Sequence, residues 1–143
     1  MVRILDSLHD PRPVVRDFVV AFASAALTFL LLDAAWLSLM AERLYRPSIG
    51  PLMREDFGVL AAALFYAIYL AGIVVFVVRP ARAGRAALVR GAFFGLVCYA
   101  TYDLTNQATL IGWPWLVTAA DLGWGAFLTA LSGWVAYRAA ARR

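Results

Sequence analysis

Apolar residues run through this chain in long blocks, not in the alternating or one-faced patterns of soluble strands and helices. An apolar stretch of 18 or more residues reads as a membrane span, and about 20 cross the hydrocarbon core. The first block runs from about Phe18 to Met40 and the second from about Phe57 to Val78. The third runs from about Ala86 to Ile111 and the fourth from about Trp113 to Tyr137. The pattern predicts an all-α fold, an integral membrane four-helix bundle, with the 143 residues forming a single transmembrane domain. The first block is too long for a signal-peptide core. Ala23-Ser24-Ala25 resembles a cleavage site but lies inside the span, so an uncleaved anchor is expected. Residues 1–17, with Pro11 and Pro13, read as a short cytoplasmic lead-in.

The links differ in kind. Residues 41–56 form the longest, and Pro47, Gly50 and Pro51 are expected to break any continuous helix there. Residues 79–85 are a short basic turn. Gly112 ends the third helix, and Pro114 suits the first turn of the fourth. The third and fourth helices are therefore expected to form a tight hairpin, with Trp113 and Trp115 as interfacial anchors.

Charge adds direction. All 13 basic residues are arginine. Ten of them (Arg3, Arg12, Arg16, Arg79, Arg82, Arg85, Arg90, Arg138, Arg142 and Arg143) fall on one side of the predicted bundle. Only Arg43, Arg46 and Arg54 fall on the other, offset by Glu42, Glu55 and Asp56. The positive-inside rule then places both termini in the cytoplasm and the protein in the inner (cytoplasmic) membrane.

Three acids interrupt the apolar blocks. Asp33, Asp103 and Asp121 lie inside the first, third and fourth spans, each roughly 12 Å below the non-cytoplasmic surface at about 1.5 Å per residue. Asp103 and Asp121 are each nine positions from Gly112, so an antiparallel hairpin sets them nearly level. Tyr99, Tyr102, Asp103 and Asn106 share one helical face, which Gly91 and Gly95 extend. Trp36 stacks one turn after Asp33, Trp124 one turn after Asp121, and Tyr66 and Tyr69 share a face of the second helix. No cationic side chain lies at this depth. Ionised acids are costly in hydrocarbon, so these should face the bundle interior. Desolvation and mutual repulsion favour the protonated carboxyl, and at least one is expected to hold a proton at neutral pH. The plainer reading treats the same side chains as interhelical glue, at around 0.6 kcal/mol per contact. Gly91 and Gly95 form a GxxxG pair, read as close packing within the bundle in preference to a dimer face.

Several chemistries are excluded by composition. The single histidine, His9, lies outside the spans, which argues against histidine-ligated metal or haem in the membrane. Without lysine there is no Schiff-base chemistry, and Cys98 alone cannot form a dithiol relay. Ser24 and Ser38 have no histidine base beside them, and there is no GxGxxG or P-loop pattern. The arginine clusters fit membrane topology, so no nucleic-acid partner is indicated, and no cofactor is expected; three carboxyl oxygen donors could hold a divalent cation, but no metal is selected by the residues present. Acid and hydroxyl chemistry remains: a carboxyl or tyrosine could move a proton on a lipid-soluble substrate.

The strings LLDAAWLSLM, YRPSIGPLM, LFYAIYLAGIVVFVV, GAFFGLVCYATYDLTNQATL and WPWLVTAADLGWG resemble a bacterial family of predicted membrane proteins, domain-of-unknown-function family 2177. The resemblance covers about residues 18–130, with YATYDLTNQATL and DLGWG its most specific parts. It implies a four-span protein with Asp33, Tyr99, Tyr102, Asp103, Asn106, Asp121 and Trp124 at motif positions. It implies no activity.

The leading expectation is a pocket lined by Asp33, Trp36, Tyr66, Tyr69, Tyr99, Tyr102, Asp103, Asn106, Asp121 and Trp124 that binds or modifies a lipid-like molecule, with Asp103 and Asp121 as its central pair. A small proton-coupled transporter acting as a homo-oligomer and a structural or assembly partner are the alternatives. Membrane lipid and an apolar small molecule are the partners implied. The arginine asymmetry makes a first prediction: reporters that work only in the cytoplasm should be active when fused at either terminus. Reporters active only outside the cytoplasm at both ends would reverse the orientation.

Overall fold

The structure is a computed structural model, and it describes residues 12–141. Most of these residues are helical, with no strand among them. Helix α1 (Arg12–Met40) widens into a π-helical turn (Ala41–Tyr45), then continues through the short α2 (Arg46–Ile49) and a 3-10 turn (Gly50–Leu52). Helix α3 (Val59–Gly72) ends in a π-helical stretch (Ile73–Val78). Helices α4 (Gly84–Thr109) and α5 (Trp115–Ala141) follow. Arg3, His9 and Pro11 at one end and Arg142 and Arg143 at the other lie outside the described residues.

Three stretches are long and apolar enough to cross a membrane: Val15–Leu52, Val59–Val78 and Trp115–Ala141. Helix α4, the expected third span, is 26 residues long, enough to cross. It is less apolar than the other three because it carries Arg85, Arg90, Asp103, Asn106 and Gln107.

Two expectations at the ends of α1 are corrected. Residues 12–17, read as a lead-in, already belong to the helix. The helical path also runs on past Pro47 to Leu52. Pro47 sits in the first turn of α2, where its missing N–H and fixed φ are tolerated. The helical path breaks only after Leu52.

Helix α5 is the hub. It packs along α4, along α1 and against the π-helical end of α3. The α4–α5 contact is the most extensive in the molecule, and it is made backbone to backbone. A Cβ on Gly91 would come within 2.7 Å of the Ala130 Cα and the Thr129 carbonyl oxygen. One on Gly95 would collide with the carbonyl oxygen of Gly125, and one on Gly125 with the Tyr99 ring. The Gly91/Gly95 pair is therefore used inside the chain. Gly112 closes the link between the two helices at φ +82°, a backbone setting that favours glycine.

Phe29 of α1, Ile73, Val74 and Val77 of α3, and Leu128 of α5 form the main core. Outward-facing positions are large and apolar, such as Leu60, Ile68, Phe93 and Trp115. The first three turns of α3 are mostly exposed, so α3 meets its neighbours chiefly at its π-helical end. Trp113, expected as an interfacial anchor, is buried with Leu44 and Val117 in a second small core, whereas Trp115 is exposed. Its N–H donates to Thr118 Oγ1 at 3.2 Å, a polar anchorage that draws the indole inward.

Close approach of α4 and α5 gives a stability prediction. Gly95→Ala forces the backbones apart and should cost about 1–3 kcal/mol. Gly123, on the same helix as Gly125, has open space around it, so Gly123→Ala should leave stability unchanged or raise it. Thermal unfolding in detergent compares the two; equal stability for Gly95→Ala and the parent chain would contradict the backbone contact.

Candidate functional site

Where the start of α3 stands away from the bundle, a cavity of about 490 Å³ is left. Helix α1 supplies Asp33 and Trp36, α3 supplies Tyr66, α4 supplies Tyr99 and Tyr102, and α5 supplies Asp121 and Trp124. Tyr45 reaches in from the π-helical turn, and Ile49, Met53 and Phe57 close the end of the cavity. A second cavity of about 460 Å³ lies between α3 and α4 and is lined by Tyr69, Cys98 and Thr101. The two share Phe65, Tyr99, Tyr102 and Asp121.

The acids are tied to the aromatics in a crossed pattern. Trp36 and Trp124 stack face to face, 4.5 Å between centroids and 8° from parallel. The Trp124 N–H, on α5, points at Asp33 Oδ1 on α1 at 3.4 Å, and Tyr66 donates to Asp33 Oδ2 at 2.7 Å. In the other direction, the Trp36 N–H donates to the Tyr45 hydroxyl at 2.8 Å, and that hydroxyl donates to Asp121 Oδ1 at 2.5 Å. Both carboxyl groups are buried. Every donor just named is spent on an acid or on the tyrosine that serves one. The aromatic rings therefore both wall the cavity and solvate its carboxyl groups.

Seven of the ten expected residues share this cavity: Asp33, Trp36, Tyr66, Tyr99, Tyr102, Asp121 and Trp124. Tyr69 belongs to the neighbouring cavity and shares a 2.8 Å hydrogen bond with Thr129 in the core. Asn106 is half-buried, and its backbone carbonyl accepts the Leu110 N–H at 2.8 Å near the end of α4. Asp103 is fully buried, and neither of its carboxyl oxygens has a hydrogen-bond partner among the described residues. The expected common face of α4 is thus divided. Tyr102 is 60% exposed, whereas Asp103, about 100° further round the helix, turns fully inward. The acids that share the cavity are Asp33 and Asp121, not Asp103 and Asp121. Asp103 shares no hydrogen bond with either of them. Among the described residues no three His, Cys, Asp or Glu side chains converge in a way that could hold a metal ion.

Sequence spacing missed Tyr45. Nine residues after Trp36, it would lie about half a turn away on a regular α-helix. The π-helical turn re-aims the chain and returns the tyrosine to the Trp36 side. Gln107, Thr118 and Trp113 form a second polar cluster that was also missed: the Thr118 hydroxyl donates to Gln107 Oε1 at 3.1 Å, and Gln107 Nε2 donates to the Trp113 carbonyl at 2.9 Å.

A family described as "Predicted membrane protein (DUF2177)" matches residues 18–138. The chain belongs to this family. That match covers α3, α4 and nearly all of α1 and α5, and so every residue of the cavity in this DUF2177 protein. No curated protein and no solved structure matches the chain. The family description and the apolar helices together make this a membrane protein.

Tyr45→Phe removes one hydroxyl that serves both Trp36 and Asp121. It should lower stability by about 0.5–2 kcal/mol and shift tryptophan emission. Tyr102→Phe, on an exposed ring, should change neither. Fluorescence-monitored thermal unfolding of both variants checks this; an unaltered Tyr45→Phe protein would remove Tyr45 from the site.

Proposed function

We propose that the protein binds an amphipathic, lipid-like molecule, with its polar head against Asp33 and Asp121 and its apolar part among the aromatic side chains. The observation that carries this reading is the cavity itself: two buried carboxyl groups, each already met by aromatic donors, beside about 490 Å³ of space. Ligand sites are mostly apolar and concave, with a few polar groups that fix orientation. The adjoining cavity between α3 and α4 supplies a lateral way in from lipid, since the two meet at Tyr99 and Asp121. In this reading all four long helices cross the inner membrane, α4 included, with α4 and α5 as an antiparallel hairpin and both termini cytoplasmic. Turnover of the bound molecule would use the Tyr45–Asp121 and Tyr66–Asp33 pairs to move a proton. The same pairs would serve the alternative of proton-coupled transport.

The structural reading also has a specific observation in its favour. Asp33 joins α1 to α3 and α5, and Asp121 joins α5 to the turn after α1, as interhelical glue would. Asp→Asn separates the two, because the amide keeps an acceptor oxygen for each tyrosine but removes the carboxyl charge and proton. The Asp33→Asn/Asp121→Asn protein should accumulate and unfold near the parent temperature. An apolar molecule should co-purify with the parent chain and be lost from this variant, read by mass spectrometry, and the variant should fail to complement a deletion strain. Full complementation together with unchanged co-purification would leave the acids as glue.

A further inference from the structure

At the opposite end of the bundle from Gly112, α3 ends and α4 begins around a different kind of cavity. It is an open surface hollow of about 570 Å³, lined by Arg79, Pro80, Arg82, Ala86 and Arg90. Among the described residues no carboxylate lines it. Asp17 lies in a separate cavity that it shares with Arg79, and it faces Arg16 at 3.6 Å. Helix α4 adds to the positive field. Its N-cap residue is Ala83, with no side-chain cap and no acid in the first turn, so its first amide groups have no side-chain acceptor.

The surface beside this cavity is apolar. Arg79 follows Phe76 by one turn, and Phe76 is exposed. On α4, Ala86 and Arg90 are four apart, and Phe93 and Val97, both exposed, continue the same stripe. Guanidinium groups thus sit at the end of the apolar span Val59–Val78, where lipid phosphates lie, and large apolar side chains run from them along both helices.

We propose that this cavity binds the phosphodiester head group of an anionic phospholipid, with its acyl chains along the exposed apolar stripe of α3 and α4. Guanidinium groups suit the group because they give forked, charge-assisted hydrogen bonds to phosphate oxygens. A basic pocket between membrane helices is the kind of site that recognises acidic lipid head groups. The apolar stripe sets a lipid apart from free phosphate, which has nothing to lay there.

The test uses the full chain in nanodiscs of phosphatidylcholine with or without phosphatidylglycerol, with retained lipid counted by native mass spectrometry. Phosphatidylglycerol should be retained over phosphatidylcholine. Arg82→Gln should lower its retention about fivefold, and Arg79→Gln/Arg82→Gln/Arg90→Gln by tenfold or more. Unfolding temperature in pure phosphatidylcholine should stay unchanged for all of these, since the three side chains are exposed. Arg85→Gln removes the same charge outside the cavity lining and should leave retention intact. Equal retention of the two lipids, or equal losses for Arg82→Gln and Arg85→Gln, would overturn the site in favour of diffuse attraction. Displacement of phosphatidylglycerol by millimolar inorganic phosphate would overturn the lipid assignment and leave a free-phosphate site.

Discussion

Buried carboxyl groups with no cation beside them among the described residues constrain everything around them. Water cannot solvate Asp33 and Asp121 freely, so the fold brings donors to them, and those donors come from side chains that also suit hydrocarbon. Tyrosine and tryptophan each present an apolar body with one polar atom. The Trp36–Trp124 stack can therefore act as wall and as solvent at once. The crossed arrangement follows. Each indole lies one turn beyond the acid of its own helix, so stacking the two rings directs each N–H toward the acid of the other helix, with Tyr45 bridging one of the two gaps.

That arrangement depends on close contact elsewhere. Helix α5 carries Asp121 and Trp124, and its position is set by glycines that let α4 touch its backbone. Without Gly95 and Gly125 the two helices would move apart, and Tyr99, which lies over Gly125, would shift with them. Helix α3 makes no such contact over its first turns, and the cavity opens there. Tight packing on one side of α5 and loose packing on the other thus create a fixed wall and an accessible space in the same small bundle.

Much of this was legible from the chain. Apolar blocks located the second, third and fourth long helices to within about four residues but fell short of the first at both ends, and the Asp33–Trp36 and Asp121–Trp124 pairs picked out by spacing both line the cavity. What escaped was whatever a regular helix does not predict. Tyr45 needed the π-helical turn, and the path through Pro47 needed a proline at a helix start, which reads from composition alone as a break. Division of the α4 face between Tyr102 and Asp103 was also hidden. Residues three and four apart do share a face, but a face is wide enough for one member to reach lipid while another is sealed against α5.

Asp103 shows by contrast what the cavity is. All three acids are shut away from solvent, and two have donors while the third has none among the described residues. The Trp113 N–H donates to Thr118 Oγ1 at 3.2 Å. A buried polar group without a partner carries its full desolvation cost, so native structures contain few of them. Donors gathered around Asp33 and Asp121 are consequently not a general response of this bundle to an internal acid. They are found at the two acids that line the cavity.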